Sequence, residues 1–142
     1  MPTEPSVERR VGLDTNVLVY AFTESSLKAQ QGEGLLRLRP WISIQALNEL
    51  ASVLRRKRAL NWGEIEIVVE TIAGLCVVAD LTLDGHRQAL QLVQRYQLSW
   101  WDALQLAVSL DAGADTFYSE DLQGGLVLEG RMRIVNPFAA SA

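Results

Sequence analysis

The sequence WDALQLAVSLDAGADTFYSEDL, residues 101–122, contains the pattern that decides the fold. From Trp101 to Ala112 it is apolar on nearly every side, which predicts a helix buried in the interior. Gly113 is predicted to end this helix as a C-terminal cap. Thr116-Phe117-Tyr118 then predicts a short buried strand, and the acidic turn Ser119-Glu120-Asp121 follows it. A buried helix that leads into a buried strand is typical of an α/β fold.

The rest of the chain repeats this alternation of helices and short strands. Four further strands are predicted, at Val11–Leu13, Trp41–Ser43, Cys76–Ala79 and Arg133–Val135. Further helices are predicted from Val17, at Leu27–Leu38, from Ile44 to the basic run, from Trp62 or Gly63, and at Leu83–Tyr96. Short apolar strands that alternate with helices predict a mainly parallel sheet covered on both faces. Ligands of such sheets bind beyond the carboxyl ends of the strands.

Length and composition predict one globular domain, residues 1–142, with its core at about residues 11–138. No apolar run approaches the roughly 20 residues that span a bilayer, and the N-terminus lacks a signal pattern. We therefore expect a cytoplasmic protein without a membrane segment. Cys76 is expected to be a buried hydrophobe rather than a reactive thiol. Because His86 is the only histidine, histidine-based zinc sites and Ser-His-Asp triads lack their residues.

The basic residues are clustered, although the formal net charge is −4. One run consists of Arg55, Arg56, Lys57 and Arg58. The sequence leaves two interpretations of this run open. It is either a solvated helix end, where cations interact favourably with the helix dipole, or a set of contacts to nucleic-acid phosphates.

Each of four acidic residues has an ordinary structural explanation when it is taken alone. Asp14 follows the first strand and would be a good helix N-cap. Glu49 would be an exposed helix residue, and Asp121 would belong to a polar turn. Asp102 stands three residues after Ser99, as the acid of a capping box does. No single acid therefore indicates a site.

Considered together, these acids favour a site at one edge of the sheet. Asp14 and Asp121 both follow strands, and Asp102 opens the buried helix, where it shares a narrow polar stripe with Gln105 and Ser109. A carboxylate in a buried helix must be paired, protonated or bound to a cation. Oxygen ligands without histidine or cysteine suit Mg²⁺ or Mn²⁺. A hard cation held by carboxylates fits phosphoryl-transfer chemistry.

Four segments resemble the PIN-domain nucleases, and more narrowly the VapC-type toxins of bacterial toxin–antitoxin pairs. They are Gly12–Tyr20, Ser43–Leu54 around Asn48-Glu49-Leu50, Leu98–Leu122, and Ile134–Phe138. The likeness spans roughly Val11 to Phe138 and keeps the order of the family's motifs. It implies a three-layer α/β/α PIN-like fold with a mainly parallel central sheet.

The resemblance also implies a catalytic quartet that holds Mg²⁺ or Mn²⁺, formed by Asp14, Glu49, Asp102 and Asp121. Asp14 and Asp102 look like the principal metal ligands. Glu49 and Asp121 look like ligands that complete the site, directly or through water.

Two further polar residues, Asn16 and Ser119, match positions that support the quartet in this family. Either Glu120 or Asp121 could face the metal, and the family's Ser-x-Asp pattern selects Asp121. Members cut single-stranded or looped RNA and are usually homodimers restrained by a small antitoxin. The resemblance therefore implies a metal-dependent ribonuclease with an RNA substrate and a cognate antitoxin.

Other classes of function fit less well or stay open. An aspartyl nucleophile of the haloacid dehalogenase type needs a second acid at the position of Asn16. A response-regulator receiver needs paired acids near the first strand and a late lysine, and neither is visible. A non-catalytic PIN-fold module that binds RNA or protein remains the open alternative.

Overall fold

The computed structural model describes residues 9–23 and 26–139. In chain order the elements are β1 (Val11–Leu13), α1 (Thr15–Thr23), α2 (Leu27–Leu36), β2 (Trp41–Ser43), α3 (Ile44–Lys57), α4 (Trp62–Leu75), β3 (Val77–Ala79), α5 (Leu83–Tyr96), α6 (Trp100–Asp111), β4 (Thr116–Tyr118), β5 (Val127–Leu128) and β6 (Met132–Val135). The predicted α/β class and mainly parallel sheet are confirmed.

The six strands form one sheet in the order β3-β2-β1-β4-β6-β5, and only the β5–β6 pair is antiparallel. Strand β1 therefore lies between β2 and β4, with Gly12 beside Phe117 of β4. A Cβ atom at Gly12 would collide with Ser109 Oγ of α6, so this glycine lets the helix pack closely on the sheet. The carboxyl ends of β1, β2 and β4 point to the same edge.

Helices cover both faces of the sheet, which confirms the three layers. Leu13 and Ile42 contribute to a core with helices α1 to α4. Phe117 and Ile134 contribute to a second core with α5 and α6. Helix α6 is the most buried of the helices, since every residue from Ala103 to Leu110 is shielded from solvent. No helix in the described ranges is long and apolar enough to cross a membrane.

The predicted element bounds differ from the observed ones in a few places, each with a local cause. Cys76 caps α4 through its backbone N–H to Ile72 O, so β3 begins one residue later than predicted. Burial raises the pKa of its thiol to about 12, in agreement with an unreactive side chain. The predicted fifth strand is β6, which begins at Met132. Strand β5 was not predicted, because two residues show no alternation of polar and apolar side chains.

Candidate functional site

A cleft of about 560 Å³ lies beyond the carboxyl ends of β1 and β4, and we call it the main cleft. All four predicted acids line it, together with three cations and several neutral side chains: Asp14, Thr15, Asn16, Val19, Tyr20, Glu49, Ser52, Val53, Arg56, Lys57, Arg58, Asp102 and Asp121. The acids come from the end of β1, from α3, from the first turn of α6 and from the loop after β4. Topology thus gathers residues that are far apart in the sequence.

Asp14 is buried at the floor of this arrangement, with 5% of its surface exposed. Its Oδ1 accepts a hydrogen bond from Thr15 N (2.6 Å), and its Oδ2 accepts one from Ser119 Oγ (2.8 Å). The pKa of Asp14 is raised to about 6, chiefly by burial and also by the nearby charges of Asp102 and Glu49, while the two hydrogen bonds act in the opposite direction. Asp102 and Glu49 are therefore close enough to Asp14 to repel its charge.

Ser119 joins Asp14 to the loop after β4. Its fully buried hydroxyl donates to Asp14 and accepts hydrogen bonds from Asp121 N (3.2 Å) and Leu122 N (3.3 Å). Its own N–H donates to Val135 O, which fixes the loop on β6. The position of Ser119 agrees with the supporting role that the resemblance implies.

Glu49 is half-buried rather than exposed, in contrast to the ordinary expectation for a glutamate on a helix. Its Oε2 accepts hydrogen bonds from Thr15 Oγ1 (2.9 Å) and from Gln105 Nε2 (2.8 Å). Its Oε1 accepts a longer one from Gln45 Nε2 (3.4 Å). Sequence reasoning did not assign Thr15 or Gln105 to the site, and the only signal was the polar stripe that Gln105 shares with Asp102.

Asp121 and Glu120 have different surroundings, although they are adjacent. Asn16 Nδ2 donates to Asp121 Oδ2 (3.1 Å), and Asp121 lines the main cleft. Glu120 instead forms an ion pair with Lys28 Nζ (3.0 Å) and accepts a hydrogen bond from Tyr20 OH (3.2 Å). Glu120 is thus used to attach α2 to the loop, and Asp121 is the acid that remains in the cleft.

Asp102 stands in the first turn of α6, but its carboxylate does not cap the helix. Ser99 is the N-cap and accepts a hydrogen bond from Asp102 N (3.2 Å). A complete capping box also needs a bond from the N-cap backbone N–H to the side chain of the third helical residue, as Asn61 N donates to Glu64 in α4. Within the described ranges, Ser99 N forms no such bond with the Asp102 carboxylate. Its carboxylate is therefore available to the main cleft.

The basic run at the end of α3 divides into two groups. Arg56, Lys57 and Arg58 line the main cleft. Arg55 is not among the lining residues: its guanidinium lies 5.3 Å from the centre of the Trp62 ring, and its Nη1 donates to Leu60 O (3.0 Å). The structure thus associates three of the four predicted RNA-binding residues with the acids.

The chemistry of these side chains fits a hydrated divalent cation. None of the ion pairs between described residues involves the four acids of the cleft. No three acidic, histidine or cysteine side chains in residues 9–23 and 26–139 converge tightly enough to enclose an ion by themselves. Mg²⁺ keeps several of its waters and is commonly held by one or two carboxylates. The four carboxylates that line the main cleft are oxygen ligands of the kind that such an ion takes.

Solved structures share this fold at low sequence identity. A toxin–antitoxin complex from Klebsiella pneumoniae is 16% identical with a TM-score of 0.69, over 93% of this chain and 99% of that one. DNA-bound VapBC from Salmonella typhimurium is 19% identical with a TM-score of 0.68, over 89% and 96% of the two chains. The VapC20 toxin of Mycobacterium tuberculosis, described as cleaving the sarcin–ricin loop, is 18% identical with a TM-score of 0.61, over 78% and 89%.

No curated protein sequence matches the chain. The sequence profile of the PIN domain matches residues 11–123, which is most of the chain and includes all four acids of the main cleft. Together with the three-layer fold and its mainly parallel sheet, this match shows that the chain belongs to the PIN domain family.

Proposed function

We propose that this protein is a Mg²⁺- or Mn²⁺-dependent endoribonuclease and the toxin of a toxin–antitoxin pair. The observation that carries the proposal is the main cleft itself. In it, four acids from four parts of the fold meet three cations from the end of α3. A cation-binding group beside phosphate-binding side chains is the combination that hydrolysis of a phosphodiester requires.

The four acids have distinct tasks in this proposal. Asp14 and Asp102 are the principal ligands of the cation, and Glu49 and Asp121 complete the site directly or through water. When bound, the cation supplies charge stabilisation at the phosphate and a nucleophile derived from water. Ser119 and Asn16 hold Asp14 and Asp121 in place through the hydrogen bonds described above. The domain that carries these residues is proposed to extend over residues 1–142.

The substrate and partners are proposed from charge and from similarity. Arg56, Lys57 and Arg58 offer positive charge to a phosphate backbone at the border of an acidic site. The similar VapC20 toxin is described as cleaving the sarcin–ricin loop, and two other similar structures are described as a toxin–antitoxin complex and as DNA-bound VapBC. We therefore propose RNA as the substrate, a small antitoxin as the partner, a homodimer as the active form and the cytoplasm as the place of action.

Cleavage of a single-stranded RNA oligonucleotide tests the activity. The intact chain is expected to cut it with Mn²⁺ and to be inactive in EDTA. Asp14→Asn and Asp102→Asn should each abolish cleavage. Asp111→Asn is the matched control, because Asp111 is an exposed acid at the other end of the same helix as Asp102. Full activity in EDTA would contradict the proposal. RNA binding without any cleavage would favour the non-catalytic binding module.

A further inference from the structure

Gln105 is a buried amide in a helix that is otherwise packed with apolar side chains. Only 2% of its surface is exposed, and it lies one turn after Asp102 in α6. Its Nε2 donates to Glu49 Oε2 (2.8 Å) and to Thr15 Oγ1 (3.3 Å). Its Oε1 has no hydrogen-bond partner within the described part of the chain. One end of the amide is therefore fully used and the other is not.

The orientation of this amide follows from the chemistry of its neighbours. An ionised carboxylate accepts hydrogen bonds and cannot donate them, so the NH₂ group must face Glu49. Thr15 gives its single hydroxyl proton to the same oxygen, Glu49 Oε2, and its lone pair receives the second proton of Gln105. Three side chains from α1, α3 and α6 form a closed triangle in which every donor proton is used.

Core stability alone does not explain a glutamine at this position. Buried polar atoms are nearly always hydrogen-bonded, and an unpaired buried carbonyl opposes folding. A leucine has a similar size and would fill the same space without an unpaired atom. What Gln105 adds is the pair of donor protons that it places between Glu49 and Thr15.

We propose that Gln105 is a positioning residue that orients Glu49 for cation binding, an inference that rests on the proposed function. Gln105 and Thr15 fix Oε2 of Glu49 from two sides. Among the residues that the structure describes, the other oxygen, Oε1, accepts one hydrogen bond, the longer one from Gln45. We assign this oxygen to the cation. Groups that orient a metal ligand in this way commonly change metal affinity by 10- to 100-fold when they are removed.

Replacement of Gln105 by leucine separates this role from packing. We expect Gln105→Leu to bind Mn²⁺ about 10-fold or more weakly than the wild type in calorimetric titration of the intact chain. We expect its melting temperature in EDTA to stay close to that of the wild type, because removal of the unpaired acceptor offsets the loss of the bonds to Glu49 and Thr15. Ser109→Ala is the matched control. Ser109 is equally buried in the same stripe, but it contacts Gly12 rather than Glu49, so Mn²⁺ affinity should not change.

A second set of variants tests whether the effect passes through Glu49. In a Glu49→Gln background, Gln105→Leu should cause no further loss of Mn²⁺ affinity, since the two residues act as a unit. Thr15→Val, which removes the other donor to Oε2, should weaken Mn²⁺ binding even if Gln105→Leu folds poorly. Thr15→Ser should retain the affinity, because it keeps the hydroxyl.

The possible failures are distinguishable. If folded Gln105→Leu binds Mn²⁺ as tightly as the wild type, the positioning role of Gln105 is wrong, but the proposed function stands. The same conclusion follows if Gln105→Leu causes an equal loss of Mn²⁺ affinity in the wild-type and Glu49→Gln backgrounds. If Gln105→Leu does not fold, unchanged Mn²⁺ affinity in Thr15→Val overturns it. A wild-type chain that binds no Mn²⁺ would overturn the proposed function together with it.

Discussion

Asp14 is a carboxylate that folding removes from water and places beside other acids. Its pKa rises from the usual 3.8 to about 6, mainly because burial disfavours the charged form. The native state therefore retains a proton that the unfolded chain releases between these two values. Consequently, ionisation of Asp14 reduces the free energy of unfolding as the pH rises from about 4 to 6 and keeps it reduced above that.

Asp14→Asn should remove this pH dependence. Two pKa units correspond to about 3 kcal/mol, so in EDTA at pH 7 the variant should be more stable than the wild type by an amount of that order. The two chains should become similar near pH 4. Urea unfolding at several pH values measures the difference. A wild-type chain that is as stable as Asp14→Asn at pH 7 would mean that the buried charge is already compensated by the protein.

Addition of a divalent cation should reverse this destabilisation in the wild type. A ligand that binds only the native state adds about 2.7 kcal/mol at a hundredfold excess over its Kd. The melting temperature should therefore rise in millimolar Mn²⁺, and Asp102→Asn should reduce that increase. Asp111→Asn should show the wild-type increase. A wild-type melting temperature that is the same in Mn²⁺ and in EDTA would count against the cation site.

Among the elements, α3 connects the acids to the proposed nucleic-acid contact. Glu49 lies within this helix, and the basic run ends it. Lys57→Gln should lower RNA affinity for all sequences. It should also reduce the slope of log affinity against log salt concentration by about one, which is the contribution of one phosphate contact. Arg55→Gln is the matched control, because Arg55 packs on Trp62 outside the main cleft. Equal losses in the two variants, measured by fluorescence anisotropy at several salt concentrations, would refute the contact.

The sequence predicted most elements because their patterns are local. The bounds of β1, β4 and α5 were predicted as observed, since each is an apolar or amphipathic segment between turn residues. Strand β5 is too short to show such a pattern. It exists because its backbone pairs with β6 after a turn.

The candidate site was only partly predictable from the residues alone. Topology explains why Asp14 and Asp121 were expected at one edge of the sheet. Glu49 was selected only through the family resemblance, because the bonds that hold it come from Thr15 and Gln105, which lie 34 and 56 positions away. Side-chain contacts over such separations leave no periodic signal in a single sequence.

At the scale of the whole molecule, the chemistry of the products tests the proposed mechanism. The chain has a single histidine, His86, which packs against Trp100 on the exposed side of α5 and does not line the main cleft. The acids of the cleft favour attack by water rather than by the RNA 2′-hydroxyl. Cleavage should therefore leave a 5′-phosphate and a 3′-hydroxyl, which end-group analysis of a labelled oligonucleotide identifies. A 2′,3′-cyclic phosphate would show that the 2′-hydroxyl is the nucleophile.

The pairing of β1 with β4 has a consequence for the way the protein is made. Asp14 and Ser119 are 105 positions apart, and β4 is the neighbour that completes the surroundings of β1. During translation Asp14 is synthesised long before its partner strand β4 and Asp121, which follow it in the chain by more than 100 positions. Contacts of such long range form late in folding. For the proposed ribonuclease, a nascent chain that still lacks β4 and Asp121 is therefore inactive beside the messenger and ribosomal RNA that surround it.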